Sequence, residues 1–306
     1  MTLRELKKHF ESKLGTLYDQ GETESFFYMV LEHLHQMKRI DFTLNPDFSV
    51  ASIEGWNRII SDLQQEKPIQ YILGEAWFYG LPFKVNEYTL IPRPETEELV
   101  EWILESRKPE SEMMLYQGEL RSAFSILDIG TGTGCIPISL KVNLPEAEVF
   151  AIDVSEEALK VANENAQQNN AQVHFTQADI LLVEDLKKLS AVNDLLPTKL
   201  DVIVSNPPYV RNLEKTEIRK NVLDYEPHLA LFVEDNDPLV FYRKIAELAI
   251  ESLKPNGLLF FEINQYLGKE TIEMLKQLGY QNIELRKDLM GNDRMIKAKI
   301  KDEMKF

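Results

Sequence analysis

Apolar residues in the first quarter of the chain recur at helical spacing. Leu3, Leu6, Phe10, Leu14 and Leu17 predict one helix, and Thr2 with Glu5 makes a reciprocal cap at its start. Phe26, Phe27, Val30, Leu34 and Met37 predict a second, opened by Thr23 and closed before Asn45-Pro46. Trp56, Ile59, Ile60 and Leu63 predict a third. Residues 1–75 carry no recognisable chemistry. They are expected to form a small helical domain that grips a macromolecular substrate.

The period then changes. Ala76 to Tyr79, Gly80, and Pro82 to Val85 predict a short hairpin. Leu90-Ile91-Pro92-Arg93-Pro94-Glu95-Thr96 is stiffened by two prolines, and its acids suit the first turn of the helix it opens. Residues 76–95 are expected to be a hairpin linker, and 96–306 the second domain. An irregular stretch is expected over 108 to 124. Beyond it, strands and helices alternate. Strands are predicted at Ser125 to Ile129, Glu148 to Val154, Val173 to Gln177, Leu200 to Ser205 and Leu258 to Ile263. Helices are predicted at Cys135 to Val142, Glu156 to Asn169, Pro238 to Leu253 and Lys269 to Leu278. Two more strands, Ile283 to Lys287 and Arg294 to Ile300, are joined through Gly291-Asn292-Asp293. This order predicts an α/β fold: a doubly wound, seven-stranded sheet with a C-terminal antiparallel hairpin.

Composition narrows the function. The 306 residues suggest about two domains. A formal net charge of −16 argues against a long nucleic acid as the main partner, because such proteins need a basic stripe to displace counterions. The single cysteine, Cys135, excludes an internal disulfide and a Cys-rich metal site, and a reducing cytoplasm fits. It is expected to be a small buried apolar residue. The five histidines show no metal spacing. The N-terminus has charges through any would-be apolar region, and no run approaches the roughly 18 apolar residues of a membrane span.

The candidate chemistry sits at strand ends. Asp128-Ile129-Gly130-Thr131-Gly132-Thr133-Gly134 lies between the first strand and its helix. Position 135 is Cys and 137 is Pro, so the dinucleotide fingerprint fails from either start; the phosphate-loop pattern is also missing. The D-x-G-x-G-x-G pattern resembles the first motif of class I S-adenosylmethionine-dependent methyltransferases. Glycines let a backbone approach a ligand closely, and Gly130, Thr131, Gly132, Thr133 and Gly134 are the candidate cofactor loop. Asp153 ends the second strand, where an acid meets ribose hydroxyls. Asp179 follows the third strand and could accept from an adenine amino group, with Ile180 packed on the ring. A strand-end Asp is also a common turn former.

Ser205-Asn206-Pro207-Pro208-Tyr209 ends the fourth strand. The residue before a proline is driven extended, and the prolines offer carbonyls without competing N–H groups. Asn206 Oδ1 and the Pro207 carbonyl can therefore accept both hydrogens of a planar NH2 group. Tyr209 can lie against that group's flat face. Asn206, Pro207 and Tyr209 are the candidate catalytic residues, and Asn206 to Tyr209, Pro208 included, the candidate substrate corner.

The chain resembles the HemK/PrmC family of protein-(glutamine-N5) methyltransferases, which modify the Gly-Gly-Gln glutamine of peptide chain release factors. The resemblance is carried by Pro68 to Gly74, Leu90 to Glu97, Leu127 to Gly134, Asn206 to Tyr209 and Asp288 to Arg294, spanning almost the whole chain. It implies a helical N-terminal domain, a hairpin linker and a class I methyltransferase domain. It also implies S-adenosylmethionine as cofactor, held by Gly130 to Gly134, Asp153 and Asn206, and a release-factor glutamine held by Asn206 to Tyr209. The family often has an aromatic residue where Ile180 stands. Either Arg93 and Glu95 shape the substrate pocket or Arg93 caps or pairs with neighbouring acids, and Glu262 is either a site-facing carboxylate or an ordinary strand-end charge. The rivals are a glutamine methyltransferase acting on a ribosomal protein, an adenine-N6 DNA methyltransferase that flips its base into such a pocket, and a non-catalytic binder that kept the fold.

Overall fold

A computed structural model of the chain describes residues 1–107, 124–189 and 196–300. The irregular stretch expected over 108 to 124 lies, but for Phe124, outside the described residues. The chain divides into two compact units, Met1–Glu75 with Arg219–Tyr225, and Ala76–Ile218 with Glu226–Phe306.

In the first unit, α1 (Leu3–Leu14) starts at the Thr2–Glu5 reciprocal cap and buries Leu3, Leu6, Phe10 and Leu14 completely. Leu17 lies past the Gly15 cap and is half exposed, so the expected apolar stripe stops one turn early. The second helix begins before Thr23: Asp19 caps α2 (Gln20–His35) by accepting from the Glu22 N–H at 2.8 Å. Gln36 then turns left-handed (φ 56°), which splits the expected long helix and leaves α3 (Arg39–Leu44) separate. Helix α4 (Glu54–Gln64) contributes Trp56, Ile59, Ile60 and Leu63 to one core with α1 and α2. A five-residue helix, α5 (Ile69–Leu73), ends at left-handed Gly74. The later segment Arg219–Tyr225 joins this unit, where Tyr225 donates to the Gln65 carbonyl at 2.9 Å.

In the second unit, strands β1 (Glu75–Phe78) and β2 (Leu81–Lys84) form the hairpin, shifted by one residue from expectation. Tyr79 and Gly80 both adopt positive φ, the geometry of a two-residue hairpin turn, so both leave the strands. Phe78 and Phe83 enter the same apolar cluster as Leu99, Val100 and Trp102 of α6 (Pro94–Ser106), so the hairpin packs into the core of the sheet unit. The sheet is built from β3 (Ser125–Ile129), β4 (Glu148–Asp153), β5 (Val173–Gln177) and β6 (Leu200–Ser205), with α7 (Cys135–Asn143) and α8 (Glu156–Gln168) between the first three strands.

After β6 comes an insertion for which the sequence pattern named no elements. It holds β7 (Val210–Arg211), α9 (Lys220–Tyr225, which belongs to the first unit), α10 (His228–Leu231) and β8 (Phe232–Val233), and β7 and β8 pair in parallel. The unit continues with α11 (Val240–Ser252), β9 (Leu253–Glu262), α12 (Gly268–Gln277), β10 (Tyr280–Lys287) and β11 (Asp293–Ile300). Strand β9 starts five residues earlier than its apolar run suggests, because Leu253 already pairs with Leu200 ahead of a register shift.

The seven strands lie in the order β10-β11-β9-β6-β3-β4-β5. The five from β9 to β5 are parallel; β11 runs antiparallel to β9 and to β10. Strand β3 is buried at all five positions, as a strand covered on both faces should be. Strand order reverses between β3 and β6, and such a reversal opens a crevice at the carboxyl ends of the strands. No helix among the described residues is long and apolar enough to cross a membrane.

Candidate active site

The register sets the site. Ile129 pairs with Ser205, so the residues after β3 and β6 emerge side by side. The Ser205 hydroxyl, fully buried, donates to the Ile129 carbonyl at 2.6 Å and ties the two strand ends together. The glycine loop leaves from one end and the Asn206-Pro207 corner from the other. Both line a single cavity of about 350 Å³.

Backbone bonds hold the loop in place. The N–H groups of Gly130 and Thr131 donate to the Ile152 carbonyl at 2.9 and 3.1 Å. The Gly132 N–H donates to Asp153 Oδ2 at 2.8 Å, and the Ser155 N–H to Asp153 Oδ1 at 2.9 Å. Burial raises the Asp153 pKa, and these backbone donors oppose the rise. Asn165, fully buried in α8, donates to the Thr133 carbonyl at 2.9 Å. The glycines divide the work. A Cβ on Gly130 would meet no protein atom within 4 Å, whereas one on Gly134 would press on Ile138 Cδ1 at 2.9 Å and Ala162 Cβ at 3.2 Å. Gly130 keeps backbone open at a cavity-lining position, and Gly134 lets α7 approach α8.

The other candidates separate in the same way. Asp153, Asp179, Ile180, Asn206, Pro207 and Pro208 all line the cavity. Asp179 also serves its turn, accepting from the Leu181 N–H at 3.0 Å. Tyr209 is not among the lining residues: its ring packs against the core and its hydroxyl donates to Glu262 Oε1 at 3.0 Å. Burial, with the Glu262 charge second, raises the Tyr209 pKa well above the usual phenol range. Cys135 is buried and burial pushes its thiol up to about 12. Arg93 pairs with Glu226, which is 3% exposed and also accepts from the Ile91 N–H at 3.2 Å. Of the described lining residues Arg93 alone carries a positive charge, against two acids, Asp153 and Asp179.

Four lining or bracing residues, Thr96, Asn264, Glu226 and Leu229, received no role from the sequence, and a fifth, Glu262, is placed beside them as a site-facing carboxylate. Thr96 sits in the first turn of α6, 3% exposed, and donates to Glu262 Oε2 at 2.6 Å. Asn206 Nδ2 donates to Thr96 Oγ1 at 3.3 Å. Glu262 itself ends β9 and is 1% exposed. Burial raises its pKa; the Thr96 and Tyr209 hydroxyls and the Arg294 charge oppose this, and Glu95 adds to it. Asn264 donates to the Tyr209 carbonyl at 2.9 Å and to Glu214 Oε2 at 2.8 Å. Glu226 and Leu229, from the insertion after β6, brace or line the same wall. These groups meet only through tertiary contacts between residues 50 to 166 positions apart.

The chemistry available is that of a small-molecule pocket. Its volume falls within the usual range of such sites. Residues 120–299 match the methyltransferase domain, and residues 5–74 match the PrmC N-terminal domain. The chain is 54% identical over 300 residues to the release factor glutamine methyltransferase of Flavobacterium psychrophilum, covering 97% of this chain and 99% of that one. It is 40% identical to the protein of the same name from Bacteroides thetaiotaomicron, over 97% and 99% of the two chains. The solved catalytic domain of hMettl16, in complex with the MAT2A 3′UTR hairpin 6, superposes with a TM-score of 0.54 over 74% of this chain and 77% of that one. At 16% identity that likeness bears on the fold alone. With more than half its residues identical across nearly the full length of a relative, this chain belongs to the release factor glutamine methyltransferase family.

Proposed function

We propose that this chain transfers a methyl group from S-adenosylmethionine to the side-chain amide nitrogen (N5) of the glutamine in the Gly-Gly-Gln motif of peptide chain release factors, in the cytoplasm. The observation that carries the reading is the Ile129–Ser205 register, which puts the glycine loop and the Asn206-Pro207 corner on one cavity. The names of the near-full-length relatives favour a release factor over a ribosomal protein or DNA. The helical unit is proposed to grip the release factor.

The residues present fit the cofactor. Open space at the Gly130 Cβ position leaves room for close approach. Gly130, Thr131, Gly132, Thr133 and Gly134 would hold its methionine end; Gly134 would act by keeping the loop packed. Asp153 uses one lone pair of each oxygen on backbone N–H groups and retains others for ribose hydroxyls. Asp179 would accept from the adenine amino group, with Ile180 against the ring. When bound, S-adenosylmethionine supplies an electrophilic methyl carbon.

A carboxamide nitrogen is a poor nucleophile because its lone pair is delocalised. Asn206 Oδ1 and the Pro207 carbonyl accept the two N–H hydrogens, which favours a pyramidal nitrogen with its lone pair directed at the methyl carbon. The same acceptors stabilise positive charge developing on the nitrogen. Pro208 adds no competing N–H, and Tyr209, with its ring against the core and its hydroxyl committed to Glu262, would brace the corner from behind. No base is needed beforehand, since the methylated nitrogen becomes acidic and releases its proton afterwards.

Asn206→Ala is expected to lower turnover by roughly 100-fold or more while the cofactor dissociation constant changes only a few-fold. Near-normal turnover would remove Asn206 from the chemistry. Substrate is tested by offering labelled S-adenosylmethionine with release factor, ribosomal protein or duplex DNA. Label on DNA and none on the Gly-Gly-Gln glutamine would overturn the assignment.

A further inference from the structure

The amide of Asn206 can present either an acceptor or a donor to the cavity, and only the acceptor suits a substrate NH2 group. The surrounding bonds decide which. A hydroxyl has one hydrogen to give. That of Thr96 goes to Glu262 Oε2 at 2.6 Å, so toward Asn206 Thr96 Oγ1 can only accept. The Asn206 atom 3.3 Å away must then be Nδ2, which leaves Oδ1 for the cavity that Asn206 lines. The other oxygen of Glu262 accepts from the Tyr209 hydroxyl at 3.0 Å. One buried carboxylate therefore holds both ends of the Asn206–Tyr209 corner.

We propose that Thr96 and Glu262 are positioning residues that fix the Asn206 amide with its oxygen toward the substrate nitrogen. The proposal rests on the methyl-transfer reading above. With Glu262 ionised, both of its oxygens are acceptors and the hydroxyl of Thr96 has one direction. Once Glu262 takes a proton, one oxygen becomes a donor, Thr96 can reverse, and the Asn206 amide can turn its NH2 into the cavity. There it would oppose the substrate NH2. The groups acting on Glu262 are the Thr96 and Tyr209 hydroxyls and Arg294, which favour the carboxylate, and Glu95, which disfavours it. Tyr242 and Cys135, also within its electrostatic reach, are both held neutral by burial. Turnover should accordingly fall as pH falls through the raised pKa of Glu262, and hold above it.

The test compares wild type, Thr96→Val, Thr96→Ser and Glu262→Gln, full chain in each case. Methyl transfer to a release factor gives kcat, KM and a pH profile, and calorimetry gives S-adenosylmethionine affinity. Thr96→Val should lower kcat about tenfold or more, with KM for the release factor and cofactor affinity within about threefold of wild type. Thr96→Ser, which keeps the hydroxyl, should restore kcat to within about threefold. Glu262→Gln should lower kcat and lose the acid limb. A Thr96→Val enzyme with wild-type kcat would overturn the proposal, as would a Thr96→Ser enzyme as slow as the valine variant. Retained cofactor affinity separates a misaligned amide from a misfolded protein. A wild-type protein that transfers no methyl to any release factor would remove the functional reading and this one with it. An active wild type beside an unimpaired valine variant would remove only this one.

Discussion

Asp128 is an acid buried in the sheet. It sits on β3 with no exposure, and neither carboxylate oxygen has a well-formed hydrogen bond among the described residues. Burial raises its pKa to about 7; the Asp153 charge adds to the rise, and the Thr131 side chain and the Ile129 backbone oppose it. A pKa above the unfolded value means that the folded protein binds this proton more tightly. Its contribution to stability is full at acid pH and is lost as pH rises toward about 7. Asp128→Asn cannot ionise, so the variant should gain most over wild type in alkali. Thermal midpoints at about pH 5 and about pH 8 check this. A difference between variant and wild type that is the same at both would show that Asp128 is already paired and ionised.

Among the elements, the glycine loop combines two duties that a substitution series can separate. Left-handed backbone costs an alanine about 1–2 kcal/mol, and Gly130 and Gly134 share that cost at φ 77° and 78°. Gly134 adds contacts with Ile138 and Ala162 that are too close for a methyl group, an overpacking cost of about 1–3 kcal/mol. Denaturant titration should therefore find Gly134→Ala the less stable variant, by about 1 kcal/mol or more. Gly130→Ala should instead lose more cofactor affinity in calorimetry, because its methyl would enter the cavity side of the loop. Equal losses in both measurements would show that the two glycines do the same work.

For the whole molecule, the division into two units predicts a division of labour. The helical unit has its own core, in which Trp56 is 1% exposed, lies 5.2 Å from the Phe27 ring and 5.9 Å from Phe10, and donates to His35 at 2.9 Å. Trp56→Ala should remove about 3–5 kcal/mol from that unit. If the helical unit grips the release factor, methylation of the intact release factor will drop. Methylation of a short Gly-Gly-Gln peptide, which needs only the cavity, will persist. A parallel loss with both substrates would assign the helical unit a purely structural role.

The succession of strands and helices along the chain, the carboxyl ends of β3 and β6 and the residue types on the glycine loop and the proline corner were legible in the sequence alone. Each follows from local periodicity or from the backbone limits of Gly and Pro, which act within a few residues. Turn geometry already blurred the edges: the left-handed Gln36 cut one expected helix in two, and the Tyr79-Gly80 turn moved the hairpin by one residue. Only the tertiary structure decided that Thr96, Asn206, Tyr209 and Glu262 form one bonded chain, that Tyr209 ties to a carboxylate instead of lining the cavity, and that Arg93 answers Glu226. Those partners come from different elements far apart in the sequence. No periodicity records which side chains a folded sheet will bring within hydrogen-bonding distance, because that choice is made by strand order and register.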